Sequence, residues 1–388
     1  MLNRHPLFLK INILTWLILL TMAGCLPKPK PQTGDFCGKV IDAYTREPVP
    51  GVTLKIGGTE TVTDIKGKFA IAILPPGDYP LTLERDWYYP LAKTEHHIGK
   101  QDSLEYSLKP LPLEGKILYS GDETGNWEIY ELNLKDRMVT KLSDSPSSEV
   151  NPVKYSDSLV LLQSTFKSNN RYNYDLFLLD RNSRSLEFIY DVIINDENKN
   201  DQNPSSTISG NIIIFQSNGE KIYSYNRYGN AAKEIISKGQ NPVVSPDGTQ
   251  IAYADTNNRL CVANIDGTGV RIINHPGKIN NPSWSSRNGE MIAVELWLES
   301  GGPRYIYIMD ANGNGEPKRV TFGNLARDQH KHPCWSSDNS MIFFSGNIAY
   351  SSRFDIYGIR VSDGLQGKMS WVMVSSRSGS KEYPSWSE

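Results

Sequence analysis

Lys381–Glu388, KEYPSWSE, is the stretch that decides the fold. It repeats an opening found throughout the chain: NPVKYS from Asn151, NPSST from Asn203, NPVVS from Asn241, NPSWS from Asn281, HPCWS from His332 and YPSWS from Tyr383. The prolines Pro152, Pro204, Pro242, Pro282, Pro333 and Pro384 stand 38 to 52 residues apart. Repeats of this period belong to propellers or solenoids, whose units bury their faces only against their neighbours. The last copy has an opening strand and nothing after it, whereas Gly115–Leu142 has every part of a unit except that strand. Chain ends that share one unit, and so close a ring, account for both.

A second register supports the count. Short aromatic strands follow at Glu128 (EIY), Asp175 (DLF), Lys221 (KIY), Arg259 (RLC), Tyr305 (YIY) and Asp355 (DIY). Each is preceded by a β-rich run: ILYSG, LVLLQS, IIIFQS, IAYAD, IAVEL and IFFSG. Turns such as Ser245–Gly248 (SPDG) and Ser285–Gly289 (SSRNG) separate the opening strand from that run. With a weaker last strand, as in RIIN and KRVTF, each unit has four antiparallel strands, and six such units make an all-β, six-bladed propeller.

These repeats resemble the TolB-type propeller family, the PD40 class related to WD40 proteins. Its signature of P-x-W-S-x-D-G, then I-A, then I-Y-x-M-D is best matched by Asn241–Asp266 and Asn281–Asp310. The resemblance covers 113–388. It implies the propeller but not its task, because one fold serves many roles. The separate α/β domain of TolB has no counterpart in this sequence.

The first 24 residues read as an export signal: Arg4 and Lys10, then an apolar run from Ile11 to Met22, then the small residues Ala23 and Gly24. The run is short for a membrane span. Met22-Ala23-Gly24-Cys25 resembles a bacterial lipoprotein box, which implies cleavage before Cys25 and acylation of its thiol. Each buried methylene of such a lipid adds about 0.8 kcal/mol of membrane affinity. Residues 25–33 form a Pro-rich linker of extended character. Leu26 follows the cysteine with no aspartate to favour the inner membrane, so the expected location is the cell envelope, lipid-anchored at the outer membrane. The intact chain has net charge −2. Loss of Arg4 and Lys10 with the signal takes it to −4. No basic stripe offers itself to nucleic acid.

Residues 34–110 have a different texture. GKVIDAYTREPVPGVTLKIGG, TDIKGKFAIAIL, LPPGDYPLTLERD and LEYSLKPL read as short strands joined by tight turns, with Val52, Leu54 and Ile56 alternating as in a half-buried sheet. Their motifs resemble the carboxypeptidase regulatory-like (prealbumin-like) domain, which implies a small β-sandwich with a carbohydrate-binding-like fold. Trp87, Tyr88, Tyr89 and the pair His96-His97 then offer either core material or an aromatic platform for a glycan, and core packing accounts for them more simply.

The residue before each repeat proline, Asn151, Asn203, Asn241, Asn281, His332 or Tyr383, falls at one height around one channel mouth if the units are equivalent. Converging amides, an imidazole and a phenol suit a peptide, a sugar or an ion, although turn chemistry also explains Asn before Pro. His330 and His332 share a side of an extended strand and form a two-ligand metal candidate without an evident third ligand. Asp196–Asp201 and Asp310–Asn314 space oxygen ligands as calcium loops do, without the full pattern. Trp284, Trp335 and Trp386 recur in register, as blade packing requires. Cys261 and Cys334 read as small buried residues. No nucleophile elbow, P-loop or zinc-helix motif occurs, and no cofactor is expected. The leading expectation is a non-catalytic envelope lipoprotein whose propeller binds a protein or peptide. The alternatives are a metal-assisted polysaccharide lyase or hydrolase using His330 and His332, and a glycan-binding module in 34–110.

Overall fold

The computed structural model describes residues 36–166, 173–189, 200–229, 231–323, 328–348, 352–368, 370–375 and 378–387. The export signal, Cys25 and the Pro-rich linker lie outside the described residues, as does most of Asp196–Asp201. Among the described residues no helix is long and apolar enough to cross a membrane. The helix Val361–Leu365 is five residues long, and strands make up nearly all the regular structure.

Packing divides the chain into two units. The first takes the described residues up to Val40, with Pro48–Leu83 and Leu91–Tyr106. The second takes Ile41–Glu47, Glu84–Pro90 and Ser107–Glu388. Two sheets arise from the N-terminal segment. One has three strands, in the order Lys68–Ile71, Phe36–Asp42 and Gln101–Leu108. The other has four, in the order Thr59–Val62, Thr53–Ile56, Gly77–Glu84 and Leu91–His97. Val52, Leu54 and Ile56 are buried while Lys55 is exposed, the alternation a pleated strand produces when one face is covered.

Six four-stranded antiparallel sheets follow. Their opening strands are Glu149–Lys154, Asp201–Ser206, Gln240–Val244, Lys278–Trp284, His330–Trp335 and, for the sheet that starts the series, Lys381–Trp386. That C-terminal strand pairs antiparallel with Lys116–Gly121, in the register Lys381 opposite Gly121 and Trp386 opposite Ile117. The second strands, such as Leu159–Ser164, Ile212–Ser217 and Met341–Gly346, are buried over nearly their whole length. They lie between two strands of their own sheet and have further sheets on both faces, so they read as continuous apolar runs rather than alternating ones. The fourth strands carry little burial and shrink to Arg271–Ile272 and Lys318–Arg319.

Successive sheets are stitched by one recurring hydrogen bond. The amide two residues before each of the six singled-out positions donates to a carbonyl at the start of the preceding sheet's third strand. The pairs are Glu149 to Trp127 (2.8 Å), Asp201 to Tyr174 (2.8 Å), Gly239 to Glu220 (2.6 Å), Ile279 to Asn258 (2.9 Å), His330 to Arg304 (3.0 Å) and Lys381 to Phe354 (2.8 Å). The sixth joins the last sheet to the first. Side chains at this level are cut off from water: Glu149, Asp201, His330 and Lys381 are all fully buried. Apolar clusters fill the spaces between adjoining sheets, as where Ala252, Leu260 and Val262 meet Ile279, Ile292 and Val294.

Candidate functional site

All six opening strands break register at the same place, between Val150 and Val153, Gln202 and Ser205, Gln240 and Val243, Asn280 and Ser283, Lys331 and Cys334, and Glu382 and Ser385. Proline causes the break, because it brings no N–H to the ladder. The residue before it bulges out with left-handed backbone: φ is 56° at Asn151, 53° at Asn203, 49° at Asn241, 43° at Asn281, 51° at His332 and 56° at Tyr383. Asparagine tolerates this region better than most residues. Histidine is also enriched there, and tyrosine holds it here against the usual preference, as surrounding structure permits at strained positions. These residues are therefore bulges within strands, not turns.

The six bulged residues line a single cavity of about 290 Å³. Its lining continues toward the C-terminal ends of the opening strands, through Lys154, Ser286 and Trp386, and includes none of the residues just before the bulges. The six thus mark one end of the cavity's lining. Pro204, Pro242, Pro282, Pro333 and Pro384 give it an apolar collar.

The bulged backbone amides point across to the preceding sheet and are met by polar side chains there. Asn151 N–H donates to Ser120 Oγ at 3.0 Å, Asn203 N–H to Gln163 Oε1 at 2.7 Å, Asn241 N–H to Gln216 Oε1 at 2.8 Å and His332 N–H to Glu295 Oε1 at 2.8 Å. Ser120, Gln163, Gln216 and Glu295 are each buried in a mostly apolar second strand. Sequence reasoning passed over them, although a polar residue recurring near the end of the apolar runs ILYSG, LVLLQS, IIIFQS and IAVEL was the signal.

Side chains at this end form two arcs. In one, carboxamides pass hydrogen bonds along: Asn151 Nδ2 donates to Asn203 Oδ1 at 3.0 Å, Asn203 Nδ2 to Asn241 Oδ1, and Asn241 Nδ2 to Asn280 Oδ1. In the other, the rings of His332 and Tyr383 lie 4.0 Å apart and 30° from parallel. Asn281 donates to Glu295, whose second oxygen takes Arg304 Nη1 at 3.2 Å. His332 Nδ1 lies 3.7 Å from Glu382 Oε2. Burial lowers the His332 pKa to about 4, so its ring is neutral at ordinary pH, and burial raises that of the Glu382 carboxyl.

His330 does not join His332. The bulge between Lys331 and Cys334 breaks the alternation that would have set both on one side. His330 is fully buried against Tyr305 and Phe344, at 5.2 and 5.0 Å between ring centres, and is not part of the cavity lining. Its pKa is pushed down to about 3 by burial. Among the described residues no group of three or more His, Cys, Asp or Glu is placed to hold a metal ion. Asp310 serves its hairpin, accepting from the Asn312 N–H at 2.7 Å.

The aromatic platform is dispersed as well. Trp87 belongs to the second unit, is buried there, donates Nε1–H to Ser370 O at 2.7 Å and lies under the Arg360 guanidinium at 3.7 Å. His97 is fully buried, edge-on to Phe36. Of that set, Tyr89 is 45% exposed, and His96 is exposed and paired with Asp78 at 2.6 Å. The repeated tryptophans bridge neighbouring sheets: Trp284 Nε1–H donates to Val243 O at 3.2 Å and Trp335 Nε1–H to Ser283 O at 3.0 Å. Cys261 and Cys334 are buried thiols that form no disulfide, and burial raises their pKa values to about 11 and about 12.

No protein-family model matches the chain. The chain is similar to the TonB-dependent transporter Oar of Myxococcus xanthus, at 32% identity over 87 residues. That match takes in 21% of this chain and 8% of the transporter, so the chain spans under a tenth of the curated relative. Among solved structures it is similar to TolB from Acinetobacter baumannii, with a TM-score of 0.58, 16% identity, and coverage of 82% of this chain and 81% of that one. It is also similar to hydrazine synthase of Kuenenia stuttgartiensis, with a TM-score of 0.55, 13% identity, and coverage of 71% and 47%. At such identities the likeness is one of fold: the chain is an all-β protein of repeated four-stranded sheets, with TolB-type propellers among its structural neighbours.

Proposed function

We propose that the chain is a non-catalytic, lipid-anchored envelope protein whose propeller binds a protein or peptide partner in its central cavity. In this reading the six sheets are the six blades of one ring, closed where Lys381–Trp386 pairs with Lys116–Gly121. Residues 34–110 form a prealbumin-like sandwich, and Cys25 carries the lipid. The observation that carries the binding role is the convergence of six bulged residues, one from each opening strand, on one cavity. Left-handed backbone at a residue before proline costs of the order of 1–3 kcal/mol each. Six such positions around a single concavity are more than blade packing needs, since the apolar clusters already join the sheets. An acid–base or metal mechanism finds no support in the dispersed histidines, nor a glycan platform in the buried Trp87 and His97.

Membranes of the source cell are detergent-extracted and partners are captured on the purified lipidated protein. Asn281→Ala with His332→Ala should reduce capture at least tenfold while leaving the thermal midpoint near that of the wild type. Unchanged capture rejects the cavity as the binding surface. Cys25→Ser should move the protein to the soluble fraction, and its persistence in membranes rejects the anchor.

A further inference from the structure

The strand register of the first unit brings three connections to one end. Phe36 pairs with Ile71 and Gly77 with His97, so the entry to Phe36–Asp42, the Ala72–Pro76 connection and the Ile98–Lys100 turn lie together. The rings of Phe36 and His97, 5.6 Å apart between centres, join the two sheets there. This end is apolar. Ile73 is 82% exposed and Ile98 is 70% exposed, and Pro75 and Pro76 are exposed in the same connection as Ile73. Ile73 also holds left-handed backbone, with φ at 61°, where a β-branched residue is a genuine outlier. The core does not require it, since Ile71 and Leu74 are already buried there. At the opposite end Val62 and Ile65 are about half exposed, but Asp64 and Lys66 stand with them.

We propose that this end is a bilayer-contacting tip, with Ile73 and Ile98 seated among the lipid headgroups of the membrane that holds Cys25. The covalent path selects lipid as the occupant. Phe36 lies eleven positions after Cys25, so even a fully extended chain keeps the tip within about 40 Å of the acylated thiol. The chain enters the unit at the tip itself, whereas the Asp64–Gly67 turn lies at the far end of the strands. The charges agree. Lys100 is exposed at the tip, and Lys28 and Lys30 precede it against Asp35, as suits anionic headgroups. The nearby Asp78 is paired with His96 at 2.6 Å. Two isoleucine side chains carry fewer apolar carbons than one myristoyl chain, which by itself binds membranes only marginally. The tip therefore orients an anchored protein and does not replace the anchor, so release on Cys25→Ser is still expected.

The inference rests on the membrane anchor proposed above, and its test does not depend on acylation. The mature chain, residues 25–388 with Cys25→Ser, is held by an N-terminal polyhistidine tag on phosphatidylethanolamine–phosphatidylglycerol vesicles that contain a nickel-chelating lipid. An environment-sensitive dye is attached at Ile98→Cys or, at the opposite end, at Lys66→Cys, and the unsubstituted chain gives the background from Cys37. On vesicles the dye at position 98 should shift to the blue and be quenched by headgroup-level nitroxide lipids, while the dye at position 66 should not. Ile73→Asp should lower the ratio of immersed to free tip about tenfold, the worth of one buried isoleucine. Aspartate accepts left-handed backbone better than isoleucine, so the thermal midpoint should not fall. Equal quenching at positions 98 and 66, or quenching unaffected by Ile73→Asp, overturns the tip. A blue shift that grows with protein concentration in the absence of vesicles points to a second copy and also overturns it. The anchor is judged separately, by the mass of the N-terminal peptide from cell membranes: an unacylated Cys25 rejects the anchor while quenching at position 98 upholds the tip.

Discussion

Lys381 is the residue on which ring closure can be tested most directly. It is fully buried in the C-terminal strand, with Nζ 3.4 Å from Asp355 Oδ1 and 3.7 Å from Glu123 Oε1. Nζ also donates to the carbonyls of Gly379 at 3.2 Å and Ser378 at 3.3 Å. Asp355 is itself buried, its pKa raised by desolvation against the pull of Lys381 and Arg353. At an effective dielectric constant of 20 each carboxylate contact is worth about 5 kcal/mol before the cost of removing water from the ions. Desolvation offsets much of this while the cluster is intact. Replacing the lysine with methionine keeps the stem, leaves the buried Asp355 with Arg353 as its remaining cation at 3.2 Å and takes the ammonium away from Glu123, a change that costs about 3–5 kcal/mol. Lys381→Met should therefore lower the urea unfolding free energy by that amount. The loss should be local first: amide exchange at Lys381 and Ser385, opposite Gly121 and Leu118, should accelerate well before exchange in the sheet built on Lys278–Trp284. Adding Asp355→Asn removes a buried charge that has lost one of its two cations and should restore part of the loss. A Lys381→Met protein within about 0.5 kcal/mol of wild type, or one whose six sheets exchange equally fast, would refute the reasoning that this strand clasps the ring.

Two further expectations follow from buried polar groups. Glu149 is fully buried beside Glu128, and burial pushes its carboxyl up to about 7, against hydrogen bonds from Ser145 Oγ at 2.7 Å and Ser164 Oγ at 2.9 Å. A folded pKa above the ordinary 4.5 stabilises fully below pH 4.5, and that contribution is lost as pH rises through about 7. Wild-type urea midpoints should fall across this window, and Glu149→Gln should flatten the fall and be the more stable protein above pH 7; parallel curves would remove Glu149 from the account. Gln216 Oε1 accepts both the Asn241 N–H at 2.8 Å and Asn203 Nδ2–H at 3.1 Å, so Gln216→Ala strands two donors and should cost about 1–3 kcal/mol by urea denaturation.

Much of the fold was legible because propeller units repeat, and repetition multiplies a weak local signal. One X-Pro dipeptide says little, but six of them in phase with six apolar runs and six aromatic strands locate every four-stranded sheet of the series. The unpaired end at Lys381 pointed to its partner near Gly115, because an edge strand without a neighbour leaves a row of unmet hydrogen-bonding groups. The candidate site was legible only as a set of positions. That Asn151, Asn203, Asn241, Asn281, His332 and Tyr383 would face one space followed from the repeat. That they are left-handed bulges did not. A register shift is settled between two paired strands, and the acceptors that hold it in place, Ser120, Gln163, Gln216 and Glu295, come from the preceding sheet.

The histidines mark the same boundary between local and distant causes. Strand alternation put His330 and His332 on one side, and a proline-driven bulge at His332 itself separated them. Their different surroundings, Tyr305 and Phe344 for one and Tyr383 for the other, come from strands far apart in sequence. The sequence by itself determined which segments become strands and how often they recur, since turn residues and apolar periodicity act over a few residues. Tertiary structure alone decided which polar atoms are satisfied at the seams and which are left facing the cavity, because that depends on distances between sheets that no local pattern encodes.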